Sequence, residues 1–223
     1  MFKSLLYKEW IKLRLYWLLL FVVNLAFCGF LCLRLRHVFR LNEAVAVWSN
    51  WIFKGFLFYR LDEYVPLLLG VVLGCLQFFP ETLSKRLRLV LHLPLGENRA
   101  AAIHLAAGLL LLTVVYLPGL ALIAGSAAFY FPPDFQSNLL LTYTPWLLGG
   151  FAAYLLTAFT VLEPTWRLRV VYLLYGAALL RLYFMEDFYN SYLRLMVSLA
   201  VGTALLFVVP LLSTYRFGKG YGA

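Results

Sequence analysis

YWLLLFVVNLAFCGFLCL, residues 16–33, is a run of 18 uncharged residues, and its reading decides the fold. A hydrocarbon core of about 30 Å takes about 20 apolar residues in a helix, so the run predicts a membrane-crossing helix. Lys3, Lys8, Lys12 and Arg14 precede it, as in a secretory leader. The run is longer than a leader's apolar core, however, and no small-residue cleavage site follows before Arg34, so we read it as a mature span.

Similar runs recur along the chain. Of its 223 residues 64% are hydrophobic and 13% charged, with a mean hydropathy of +0.85. A soluble domain is about a quarter charged, and this composition predicts an integral membrane protein with a single membrane domain over 1–223. The expected fold class is all-α: six transmembrane helices at approximately 16–35, 62–80, 100–126, 137–162, 168–185 and 194–215, plus two surface helices. One of these is an N-terminal interfacial helix over 1–15, with Phe2, Leu5, Leu6, Trp10 and Leu13 on its apolar face and Lys3, Lys8, Glu9 and Lys12 turned away. The other is an outer amphipathic helix over Glu43 to Arg60, where Trp48, Trp51, Ile52, Gly55, Phe56 and Tyr59 recur at helical spacing. It reads either as an aromatic belt at the headgroups or as a lid over an exit path. The PPD sequence at 132–134 predicts a turn that ends the long third run. Pro118, Pro145 and Pro210 fall within spans as candidate bends.

The formal charge of +9 comes mostly from short clusters beside the apolar runs, where they meet lipid headgroups, and nucleic acid is not expected as a partner. With six spans, the inner segments carry twelve of the 19 basic residues if the N-terminus is inside. The positive-inside rule then puts both termini in the cytoplasm. Cys28, Cys32 and Cys75 lie inside apolar runs and read as small buried hydrophobes. His37, His92 and His104 show no ligand-like pairing, so neither haem nor another metal is expected. Intramembrane hydrolysis is disfavoured, because Ser126, Thr157, Ser198 and Thr203 have no acid or base at membrane depth beyond His104. Serines and threonines in spans more often bond a helix backbone or a neighbouring helix.

Residues 79–99, FPETLSKRLRLVLHLPLGENR, form the main polar interruption. Pro80 and Glu81 suit a helix start. Leu83, Leu87, Val90 and Leu91 then alternate with Lys85, Arg86 and Arg88, and His92, Pro94 and Gly96 break the helix before Glu97, Asn98 and Arg99. This reads as a flat amphipathic loop or as a shaped docking element. A second inner loop carries Glu163, Arg167 and Arg169, and suits either a partner contact or a turn with lipid-facing arginines. Arg181 interrupts the fifth span; it either snorkels toward Glu186 or Asp187 or, with Trp48 and Trp51, borders a substrate path.

An N-terminal LLYKEWIKLR helix, six spans and the 79–99 segment between the second and third spans together resemble the permease subunit of a type-2 ABC exporter. The resemblance covers nearly the whole chain as architecture, and its strongest portion is Phe79 to Arg99. It implies a transport subunit in a bacterial inner membrane that pairs with a second permease copy or a paralogue. It also implies two cytoplasmic ATPase subunits coupled through Glu81, Lys85, Arg86, Arg88, His92, Pro94, Glu97 and Arg99, with a minor contact at Glu163, Arg167 and Arg169. The chain has no GxxxxGK[ST] phosphate loop, so ATP and Mg are expected on the partner, with no cofactor and no catalytic residue here. The alternatives are a redox or haem-binding membrane anchor and a non-catalytic assembly protein.

Overall fold

In the computed structural model, the described residues are 2–49, 57–83, 97–185 and 191–218; side chains are not described at 2–5, 97, 98, 134, 135, 215, 217 and 218. Among them the chain is all helical, with no strand. Five helical stretches are long and apolar enough to cross a membrane: Leu6–Leu41, Arg60–Leu83, Arg99–Tyr130, Gln136–Leu162 and Met196–Thr214.

Helix α1 (Phe2–Leu41) runs unbroken for 40 residues, about 60 Å at 1.5 Å per residue. The boundary expected near residue 15 between an interfacial helix and a span is absent. No proline or glycine interrupts residues 2–28, and one buried stripe (Glu9, Leu13, Leu20, Asn24, Cys28, Leu31, Leu35) continues through that point at helical spacing. Glu9 was expected to turn away from the apolar face but lies on this buried stripe, whereas Trp10 is exposed.

The outer helix expected over Glu43 to Arg60 is described only at its two ends, and the second of these is not helical. Helix α2 is described over Ala44–Trp48, residues 50–56 lie outside the described part, and the chain turns at Phe58 and Tyr59 before a 3₁₀ turn at Arg60–Asp62. Tertiary packing accounts for the difference. Phe58 stacks on Phe131, and Tyr59 is fully buried against Tyr143 and Trp146, so Tyr59, expected at the headgroups, fills a core beside Phe58. Asp62 and Glu63 are buried with them, and Tyr143 donates a hydrogen bond to Asp62.

Helices α3 (Val65–Leu83), α4 (Glu97–Tyr130) and α5 (Pro133–Leu162) make up most of the bundle with α1. The Phe131–Pro132 turn between α4 and α5 agrees with the PPD signal. Helix α6 (Trp166–Arg181) is followed by a 3₁₀ turn at Leu182–Phe184. It is not among the five membrane-length stretches, since its 16 residues rise about 24 Å, short of a core of about 30 Å.

Pro118 and Pro145 sit inside continuous helices, but the last apolar stretch is interrupted near Pro210. Helix α7 (Met196–Leu206) gives way to tighter bonds, Phe207 N–H to Ala204 O and Val208 N–H to Leu205 O, before α8 (Val209–Gly218). Pro210 has no N–H for the carbonyl of Leu206, and its ring crowds that carbonyl.

Helices α3 and α5 pack most closely, and the reason is glycine. A Cβ on Gly70 would stand 2.1 Å from the carbonyl oxygen of Gly150, and one on Gly74 would stand 3.0 Å from the Thr157 side chain. Small residues allow backbones to touch where lipid supplies no hydrophobic drive for association. Helices α1 and α4 run parallel and are joined by side-chain bonds to backbone: Trp17 Nε1 to Leu111 O at 3.1 Å and Asn24 Nδ2 to Val115 O at 2.9 Å.

Candidate functional site

The start of α1, the end of α3, the start of α4 and the end of α5 meet at one pole of the bundle. They enclose a cluster of polar side chains where the apolar composition leads one to expect none. Glu9, Gln77, Glu81, His104 and Tyr154 are each at most 3% exposed, and Lys12 is partly covered beside them.

Gln77 is the hub of this cluster. Its Nε2 donates to Glu9 Oε2 at 3.0 Å and to His104 O at 2.8 Å, while its Oε1 accepts from Tyr154 Oη at 2.8 Å. One amide therefore joins α1, α3, α4 and α5 and uses its full donor capacity. Lys12 Nζ is the second hub. It donates to Glu9 Oε1 at 3.0 Å, Glu81 Oε1 at 3.1 Å and Gln77 O at 3.2 Å.

Lys8 stands 3.7 Å from the same Glu81 oxygen. His104 Nδ1 is 3.0 Å from Ala100 O, and its Nε2 lies 3.4 Å from Glu9 Oε1, an ion pair when the ring is protonated. Two buried carboxylates thus face a buried imidazole, a half-buried ammonium group at Lys12 and an exposed one at Lys8, and the interactions at the buried end are stronger than in bulk solvent. Ionisable groups at such depth, paired with one another, are candidates for function.

A smaller cluster surrounds Glu163, which is fully buried at the end of α5. Thr165 donates to its Oε1 at 2.7 Å, Ser213 donates to its Oε2 at 2.9 Å, and Arg216 lies 3.8 Å away. Arg169 Nε donates to the Glu163 carbonyl at 2.6 Å. The carboxylate thereby ties the α5–α6 turn to α8. Of this expected contact loop, Arg167 is the exposed charge.

Glu81, the first of the expected coupling residues, points inward to Lys8 and Lys12. Arg99 is exposed on the first turn of α4, and Glu97 begins that helix. Lys85, Arg86, Arg88, His92 and Pro94 lie outside the described residues. Arg181 closes α6 and is exposed, without an ion pair among the described residues; Glu186, Asp187 and Trp51 lie outside them. Trp48 donates from Nε1 to Tyr130 O at 3.0 Å, which pins α2 to the end of α4.

Glu9, Lys12, Gln77, His104 and Tyr154 were not singled out as site residues from the sequence. Gln77 and Glu81 stand four residues apart on one helical face, as do Glu9 and Lys12 at three. That spacing of polar residues beside apolar runs was the available signal.

Fold and site together define a helical protein with several helices of membrane-crossing length and a buried charge cluster at one pole. No family model matches the chain, and no match is found among curated proteins or solved structures.

Proposed function

We propose that this chain is the membrane subunit of an ATP-driven transporter, in which the pole holding Glu9, Lys12, Gln77 and Glu81 receives force from cytoplasmic partners. The observation that carries the reading is the connection made by Gln77 and Lys12. The chain leaves α3 at Leu83 and re-enters at Glu97; Gln77 and Glu81 on the α3 side bond Glu9 and Lys12 of α1, and the same Gln77 bonds His104 O on the α4 side. On this reading a push on residues 84–96 is passed to three helices at once.

On this reading α6 with Leu182–Phe184 serves as the sixth span, and both termini lie in the cytoplasm of a bacterial inner membrane. Two ATPase subunits dock at the basic pole and hold ATP and Mg. A second permease copy or a paralogue completes the pathway. The chain itself catalyses nothing. The basic residues support this polarity: Lys8, Lys12, Arg99, Arg167, Arg169 and Arg216 all belong to the helix ends that meet at this pole.

Purification of the tagged full chain in mild detergent should bring down a nucleotide-binding subunit. Charge reversal at Arg86 and Arg88 should reduce its recovery at least severalfold, and reversal at Arg34 and Arg36 should leave it intact. Equal losses from both pairs, or no ATPase in the wild-type eluate, refute the docking assignment.

Glu81→Gln keeps an oxygen for Lys12 and removes the charge. The complex should still assemble, but permease-dependent stimulation of ATP hydrolysis should fall by about tenfold, equivalent to about 1.4 kcal/mol of coupling. Full stimulation in this variant takes Glu81 out of the mechanism.

A further inference from the structure

At the pole opposite the charge cluster, α1 and α4 leave a groove between them of about 650 Å³, within the roughly 300–1,000 Å³ of small-molecule sites. Its floor is small and its rims are large. A Cβ on Gly29 would meet nothing within 4 Å, whereas Phe30, Leu33 and Phe129 stand at its edges at 54%, 66% and 81% exposure. From Ala26 to Arg36 the groove follows α1 for about 15 Å, half of a hydrocarbon core of about 30 Å and so the depth of one leaflet.

The lining is mostly apolar, the Ser126 hydroxyl being bonded to Ile123 O, until its end, where Arg36 enters. Arg40 follows one turn later on the same face of α1, beyond the apolar run. Both are exposed, and among the described residues neither makes an ion pair.

We propose that this groove binds one acyl chain of an acidic phospholipid of the surrounding bilayer, with Arg36 holding the headgroup phosphate. The chain lies over Gly29 between Phe30 and Phe129, and the guanidinium makes a charge-assisted, two-pronged contact with the phosphate oxygens. A zwitterionic lipid also fits the apolar part, but its own cation offsets the attraction to arginine. A second copy of the chain fits less well. Two-fold symmetry about the membrane normal places equivalent residues opposite each other, which sets Arg36 against Arg36 and Arg40 against Arg40. The site stands apart from the transport reading and holds whether or not that reading does.

Native mass spectrometry of the full chain, titrated with dioleoyl phosphatidylglycerol or dioleoyl phosphatidylcholine, tests the site. The acidic lipid should be retained about fivefold more, the equivalent of about 1 kcal/mol for one arginine at the membrane surface. Arg36→Gln should abolish that preference, and Arg34→Gln, which is off the groove, should preserve it. Gly29→Leu has open space for its side chain and should reduce retention of both lipids by obstructing the chain site. Equal retention of the two lipids by wild type overturns the proposal, as does equal loss of preference in the two arginine variants. If Gly29→Leu instead turns a dimer into a monomer with lipid retention unchanged, the groove is an interface between copies and the lipid assignment is wrong.

Discussion

Glu9→Leu should destabilise the protein by about 3 kcal/mol or more, the range for removing one partner from a buried ion pair. The carboxylate accepts from Lys12 and Gln77 and faces His104, and it is 1% exposed. Leucine fills a similar volume but leaves a Gln77 N–H without its acceptor and the His104 ring beside an apolar group. Lys12 retains Glu81, which keeps the loss toward the lower end of the range. Glu9→Gln keeps the shape and an acceptor, and should cost distinctly less. Thermal unfolding of the detergent-solubilised chain, followed by helical circular dichroism, measures both variants. A Glu9→Leu midpoint equal to wild type would mean that the cluster contributes nothing to holding the four helices together.

Gly70→Ala should be comparably damaging, although it adds only a methyl group. Its Cβ would lie 2.1 Å from Gly150 O, 3.1 Å from Gly150 C and 3.2 Å from Tyr154 N, all backbone atoms that no side-chain rotation can move. Helices α3 and α5 must separate, and the buried bond that depends on their closeness, Tyr154 to Gln77, loosens with them. Overpacking of a fitted core costs about 1–3 kcal/mol, and the added loss of a buried bond puts this variant toward the upper end. Gly29→Ala is the matched control. It meets nothing within 4 Å and exchanges glycine for the best helix former, so it should be neutral or stabilising by up to about 1 kcal/mol. Equal stability of Gly70→Ala and Gly29→Ala would show that the α3–α5 contact is looser than the structure has it.

The apolar runs were legible because length and composition alone decide whether a helix can cross a bilayer. Residues 16–33 fall inside α1, and the turn before α5 was marked by Pro132 and Pro133. The end of the outer segment was misread because its helical spacing of aromatics says nothing of the ring of Phe131, Tyr143 and Trp146 into which Phe58 and Tyr59 insert. Local periodicity yields when a turn buries two aromatic side chains. The same holds for Glu9: in a helix wheel it belongs to a charged face, and only Gln77 and His104, some seventy and ninety-five residues further on, make that face an interior one.

By itself the sequence determined that the chain is helical and suited to a membrane, where the apolar runs lie, and that no phosphate loop is present, since each of these is a property of neighbouring residues. Only the tertiary structure decided that Glu9 of α1 turns inward with Lys12 beside it, that Gln77 joins four helices, and that Gly29 opens a groove while Gly70 closes a contact. Each of those depends on which distant residue stands opposite. In a bilayer, where lipid and protein interiors are equally apolar, hydrophobicity cannot indicate which face of a helix meets its neighbour; close contact and paired polar groups do so.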